Sequence, residues 1–210
     1  MSEVSRPRRT QSERRAATVA KLVDATIAAI GEVGYQRATV QEICGRAALS
    51  AGAMFRQFDT RLDLIVRTAE EAFGRQLEAY RVTMDHLGAQ DNPLDVALRF
   101  LRMAQQSNLT HALREIYLAA RSDPDLRARI APIAETYYRE IVATLERSGL
   151  LDAYPPRVRE PLFFMLLHLF SGEAVVRGVY QRPDLDTAVL DLVEDMLAAY
   201  ADRMASAHES

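Results

Sequence analysis

Arg56 and Gln57 stand side by side in Ser50-Ala-Gly-Ala-Met-Phe-Arg-Gln-Phe58 and carry the groups best suited to reading a nucleic-acid base. A guanidinium can fork onto N7 and O6 of guanine, and a carboxamide onto N7 and N6 of adenine. The residues ahead of them, Ala51, Gly52 and Ala53, are small enough to let a helix enter a major groove without collision. Other chemistry finds no comparable set. His86, His111, His168 and His208 are scattered, and His111 with Glu115 forms a four-residue spacing that lacks further metal ligands. His-Glu-x-x-His, Gly-x-Ser-x-Gly, a P-loop and a dinucleotide Gly-rich loop are missing, so no catalytic residue, metal or cofactor is expected. Cys44 lies on the apolar side of its segment and reads as a small hydrophobe; a redox role is the weaker reading.

The elements that must position Arg56 and Gln57 are legible around them. Thr39 and Glu42 fit a capping box, and Val40, Ile43, Cys44 and Ala47 then recur at helical spacing. Ser50 is an N-cap candidate for a second short helix, with Met54, Phe55 and Phe58 expected inward and Ala51, Gly52, Ala53, Arg56 and Gln57 outward. Two capped helices and a tight turn follow the logic of a helix-turn-helix. Upstream, Thr10 and Glu13 predict a helix over about 11–31, with Val19, Leu22, Val23, Thr26, Ile27 and Ile30 as its buried stripe and Gly34 as its C-cap. The polar segment before Thr10 reads as an arm whose Arg8 and Arg9 touch phosphates or the minor groove.

Charge agrees with that placement. The chain of 210 residues has a net charge of −3, yet residues 1–61 hold ten basic groups against six acids, a balance of +4 that leaves −7 for the rest. A basic head on an acidic body points the head at a polyanion. One cysteine excludes an internal disulfide framework and suits a reducing compartment. No signal peptide is visible, and the most apolar stretch, 162–170, is too short to span a bilayer, so a cytoplasmic protein with no membrane partner is expected.

The run from Leu22 to Leu64 closely resembles the N-terminal domain of TetR/AcrR-type repressors. Gly34-Tyr35, Thr39-Val40, Ile43, Ala47, Leu49-Ser50, Gly52, Phe55, Phe58 and Leu64 carry the likeness. The resemblance implies an all-α homodimer that binds a palindromic double-stranded operator and is released by a small effector. It implies that Thr39 contacts phosphate through its hydroxyl and backbone N–H. It places Ser50, Ala51, Gly52, Ala53, Arg56 and Gln57 at the recognition surface, and Arg61 where a Lys commonly reaches the DNA backbone. Two positions depart from the family pattern: Ala51 stands for a usual Lys or Arg, and Phe55 for a frequent Tyr.

About nine helices are expected. A helix-turn-helix domain with its arm would cover 1–59, and a helical effector-binding and dimerisation domain 60–210. Beyond the head the pattern predicts helices at about 61–86, 93–107, 109–121, 124–148 (kinked or split by Pro132), 157–180 and 185–205. Residues 162–170 are apolar all round, and Leu185, Val189, Leu192, Val193, Met196, Leu197, Tyr200 and Met204 recur at helical spacing. Such helices either fill the monomer core or meet a symmetry mate; a palindromic site needs two heads, which favours a dimer through the last two long helices. Met84, Met103, Tyr117, Tyr137, Tyr138, Phe164, Met165 and His168 are the candidates to line a pocket for a mostly apolar ligand. Two other readings remain open here: a helical small-molecule binder or enzyme with a vestigial helix-turn-helix, and a regulator without an effector.

Overall fold

The computed structural model describes residues 10–85 and 92–208, with only the backbone described for Met84, Asp85, Asp186, Ala205, Ala207 and His208. These residues form helices α1 (Gln11–Val33), α2 (Val40–Ala47), α3 (Ala51–Phe55), α4 (Arg61–Asp85), α5 (Pro93–Gln105), α6 (Asn108–Ala120), α7 (Pro124–Ser148), α8 (Pro156–Arg177) and α9 (Pro183–His208), and among them there is no strand. The element starts follow local chemistry. Thr10 and Glu13 close a complete capping box at α1. Asn92 accepts the Leu94 N–H at α5, and Asp123 the Leu126 N–H at α7. Pro93, Pro124, Pro156 and Pro183 occupy first-turn positions, where a missing N–H costs nothing. Pro132 neither splits nor ends α7, which runs unbroken across it.

The chain divides into two compact units. The first comprises residues up to Ala72 together with His111–Ala131; the second comprises Phe73–Thr110 and Pro132 onward. Residues 60–72 and 111–131, expected with the body, therefore pack with the head. In the first unit Leu22, Ile30, Ile43, Met54, Leu64, Ile65 and Leu126 are fully buried, with α2 packed on α1 and α3 on α2. Helix α3 has too few residues to be stable alone. Met54, at 0% exposure, anchors it; its burial contributes about 1.5–3 kcal/mol.

Two further clasps close the first unit. The Glu115 carboxylate on α6 accepts the Tyr35 backbone N–H at 3.4 Å, and Arg129 on α7 pairs with Asp63 on α4 at 2.6 Å. In the second unit, Leu98, Leu151, Tyr154, Leu162, Leu166, Phe170, Leu190 and Leu197 form one apolar cluster, where α5 packs on α8 and α9. Leu77, Tyr80, Ile141, Leu145 and Phe163 form another. Arg102 of α5 is buried and held by both oxygens of Glu173 on α8, with Nε at 2.9 and 3.0 Å. Arg177 joins the same carboxylate at 3.4 Å.

Candidate nucleic-acid interface and inner cavity

The head presents α3 by way of two caps and one left-handed residue. The Thr39 hydroxyl accepts the Glu42 N–H at 3.2 Å. The expected reciprocal half of that capping box is not made. Glu42 instead accepts from Arg46 at 2.7 Å, one turn on, and Arg46 also reaches Glu32 of α1 at 2.6 Å. Helix α2 ends at Ala48, the only described non-glycine residue with positive φ, at 52°. That conformation costs an alanine more than a glycine, and it turns the chain sharply enough for Ser50 to cap α3 by accepting the Ala53 N–H at 3.1 Å.

The outward face of α3 is rotated from expectation. Ala53 and Met54 are buried and Gln57 and Phe58 half-buried, while Ala51, Gly52, Phe55 and Arg56 face out, Phe55 at 49% exposure. The reason is the period. Ala53 and Met54 form the inward pair, so the next inward positions at i+4 are Gln57 and Phe58, and Phe55 is carried to the opposite side. Ala53, expected outward, is thus turned inward, and Phe55, expected inward, is turned outward. The Gln57 Oε1 atom is buried with no hydrogen-bond partner. Arg56 folds back over Gly52, its Nη1 lying 3.9 Å from where a Cβ on that glycine would sit.

A hollow beside α3 is lined by Gln11, Arg14, Arg15 and Thr18 of α1 with Leu49, Ala53, Arg56 and Gln57. It joins the exposed Arg14 and Arg15 to Arg56 in one basic face. The sequence reading left these two arginines out of the candidate site, although Gln11, Arg14, Arg15 and Thr18 share one helical face. A second hollow, at the start of α2, is lined by Arg37, Thr39, Gln41, Glu42, Gly45 and Arg46. Arg8 and Arg9 lie outside the described residues.

Arg61, expected to reach DNA, is engaged within the head. Its Nε donates to the Ala38 carbonyl at 2.8 Å and its Nη2 to the Tyr35 carbonyl at 2.5 Å, and its guanidinium lies 4.6 Å above the Tyr35 ring. A side chain held at three points inside the fold is a poor phosphate contact. Cys44 is buried, and burial pushes its thiol above the usual value, away from the reactive thiolate.

The second unit contains a cavity of about 80 Å³. Gln76 and Tyr80 of α4, Leu98 and Ala104 of α5, Tyr137 of α7 and Leu166 of α8 are among its lining residues. The pocket candidates named from sequence mostly fall elsewhere; Tyr137 alone lines the cavity. Met103 is 65% exposed, Met165 and His168 are also exposed, and Tyr117 belongs to the first unit. Tyr138 and Phe164 pack on one another at 5.4 Å between ring centres and are not among the lining residues. For Met84 the side chain lies outside what is described. Apolar composition did not separate wall from surface, because α5 and α8 each carry apolar residues on more than one side.

Large apolar residues stay exposed on both α8 and α9 in the single chain. Met165, Leu169, Val175, Val176 and Val179 at α8 and just beyond, with Leu185, Leu192 and Met196 on α9, are all exposed. Exposed apolar surface of that extent is unusual for a lone globular chain. Its neighbours on α9 divide by helical phase: Met196 is 61% exposed, whereas Leu197 is 4% exposed and its carbonyl accepts the Tyr154 hydroxyl at 3.2 Å.

Two short capped helices, a tight turn and a basic outward face define a helix-turn-helix DNA-binding protein. A family model described as bacterial regulatory proteins, tetR family, matches residues 22–68. Over 191 residues, 91% of this chain and 98% of the relative, the chain is 33% identical to an HTH-type transcriptional regulator of Mycobacterium tuberculosis H37Rv. It is 31% identical over 135 residues to the regulator CymR of Pseudomonas putida, covering 63% of this chain and 65% of CymR. Among solved structures, the fatty acid degradation regulator FadR of Bacillus halodurans aligns with TM-score 0.61 at 20% identity, covering 91% of this chain and 96% of FadR. FadR of Bacillus subtilis, solved with stearoyl-CoA, aligns with TM-score 0.58 at 20% identity, covering 82% and 96%. The chain belongs to the TetR family and is a DNA-binding transcriptional regulator.

Proposed function

We propose that the protein is a homodimeric, cytoplasmic repressor that a small, mostly apolar effector releases from a palindromic operator. The observation that carries this reading is the pairing of an outward, basic α3 face with exposed large apolar residues on α8 and α9. A single head meets half a palindrome; two heads joined through α8 and α9 meet both halves. Arg56, with Ala51, Gly52 and Phe55, enters the major groove. Ser50 caps this helix. Gln57 adds its amide at the rim. Thr39, Arg14 and Arg15 hold the phosphates, the last two in place of Arg61. Catalysis has no part in this scheme, and no helix among the described residues is long and apolar enough to cross a membrane.

The effector enters the cavity of the second unit. FadR of Bacillus subtilis, which shares the fold, holds stearoyl-CoA, and an apolar chain is the kind of ligand an apolar wall suits. Helix α4 places Gln76 and Tyr80 on that wall, while its first turns, Arg61 to Ala72, belong to the unit that holds α3. A ligand that binds one position of α4 better than another shifts the heads by that difference in affinity and no more. Footprinting on the DNA around the chain's own gene tests the scheme. Two protected half-sites one helical turn apart, about 34–36 Å, are expected. A single isolated half-site at saturating protein would overturn the dimeric reading.

A further inference from the structure

We infer that Phe55 reads the C5-methyl group of a thymine beside the guanine that Arg56 meets, so that the core of each half-site is a T·A pair next to a G·C pair. The inference rests on the reading of α3 as the helix that enters the major groove. Phe55 is 49% exposed, on a helix whose other flank is packed through Ala53 and Met54. Ala51, one turn ahead of the ring, and Gly52 are exposed and too small to cover it. Arg56, the next residue, is exposed as well and lies back over Gly52. One exposed apolar side chain is ordinary on a protein surface. This one stands beside the cation of the reading face, where its chemistry decides which base can lie against it.

The side-chain inventory of that face is short of acceptors. Arg56 brings donors only, and Ala51, Gly52 and Phe55 bring neither donor nor acceptor. Gln57 holds the remaining acceptor, but its Oε1 atom is buried, so in this orientation the carboxamide cannot fork onto N6 and N7 of adenine. Donors and apolar surface match two of the four major-groove edges. Guanine presents the acceptors N7 and O6, and thymine presents a methyl group. Cytosine and adenine present amino donors there; a phenyl ring pressed on either would strip water from the amino group and return no bond. Against the thymine methyl the same ring buries apolar surface on both sides of the contact. Phe55 and Arg56 are consecutive, and residues about one turn apart on a groove-bound helix read successive base pairs, so the two contacts fall within about one step.

A pool of duplexes with a random core long enough for two half-sites, selected on the full-length protein, supplies the probe. The enriched core should place a thymine next to a guanine in each half. Replacing that thymine by uracil removes only the methyl group. In gel shifts it should weaken wild-type binding about two- to fivefold for each half-site, the worth of one buried methyl. A C·G pair at the same place should bind weakly, and 5-methylcytosine in that pair should recover a similar factor. Phe55→Ala should bind thymine and uracil duplexes alike. Arg56→Ala should lose its preference for the guanine and keep the preference for the methyl. Circular dichroism confirms that each variant folds. A selected core without the thymine, a wild type indifferent to uracil, or a methyl preference that survives Phe55→Ala would overturn the inference while leaving α3 in the groove. A selection that enriches no sequence, or wild-type affinity and preference in both variants, would instead remove α3 as the reading helix, and the inference with it. Should Phe55→Ala fail to fold, a para-fluorinated phenylalanine at position 55 keeps the ring and reports on it. Its fluorine resonance should differ between the thymine and uracil complexes, and an identical resonance counts against the contact.

Discussion

Replacing Arg61 should damage the fold of the head before it touches DNA binding. Its guanidinium spans the carbonyls of Ala38 and Tyr35, at 2.8 and 2.5 Å, and lies over the Tyr35 ring. Each hydrogen bond from a charged donor contributes about 1.5–3 kcal/mol and a partly exposed cation–π contact about 0.5–1 kcal/mol. The site is half-buried, so water recovers part of the loss once the side chain is gone. Arg61→Ala should therefore cost about 2–4 kcal/mol. Arg61→Lys keeps the charge and the stem, but one ammonium cannot fork onto two carbonyls, and about 1–2 kcal/mol should still be lost. In a chain of this size each kcal/mol lowers Tm by roughly 2–4 °C, so the alanine variant should melt roughly 5–15 °C below wild type, with the lysine variant between them. Melting is followed by circular dichroism at one protein concentration, because dimerisation makes Tm concentration-dependent. The salt dependence of DNA binding is the second readout. A phosphate contact through Arg61 would be kept by lysine and lost by alanine, with a change of about 0.9 in the slope of log affinity against log salt. Wild-type melting of Arg61→Ala combined with that slope change would refute the structural role.

Three other outcomes are expected. Arg56→Ala should weaken specific DNA binding by about 1–3 kcal/mol with an unchanged melting curve, as measured by gel shift against an unrelated duplex. Met196→Glu should give a folded monomer by sedimentation, since that residue is 61% exposed among the exposed apolar residues of α9, whereas Leu197→Glu should unfold the second unit, because Leu197 is 4% exposed within its core. The Thr60 hydroxyl and Arg129 hold the Asp63 carboxyl below the usual carboxylate value. Its contribution to stability is therefore fully present above the ordinary carboxylate pKa and is lost as pH falls through the lowered one. Asp63→Asn should flatten the acid side of the stability profile, and an unchanged acid limb would show that the pairing adds nothing.

The elements were legible in the sequence because their ends carry local chemistry. Thr10, Thr39 and Ser50 each cap the helix they precede, and a proline stands at the start of α5, α7, α8 and α9. Which way a short helix faces was harder to read. On α3 the apolar Ala53, Met54, Phe55 and Phe58 do not define one stripe, and the choice between Ala53 and Phe55 is made by packing on α2. Arg61 shows a different limit. Its role depends on carbonyls more than twenty residues away, and no spacing rule reports them. The cavity wall was hidden for a third reason: Leu98 and Met103 are equally apolar, and only the tertiary fold buries one and exposes the other.

The Glu115 clasp on Tyr35 bears on how this regulator can be cut and recombined. The covalent order suggests a head that could be spliced, after residue 59 or 72, onto any sensor body. Compactness says otherwise, since His111–Ala131 completes the unit that holds α3 and supplies Glu115, Arg129 and the fully buried Leu126. A chimera joined at residue 72 would leave the Tyr35 N–H to solvent and an apolar flank bare where those residues pack. A graft that also transplants 111–131, a discontinuous module of two segments, keeps the partners of Tyr35 and Asp63. The operator preference of this chain is therefore portable as a pair of segments and not as a single N-terminal piece.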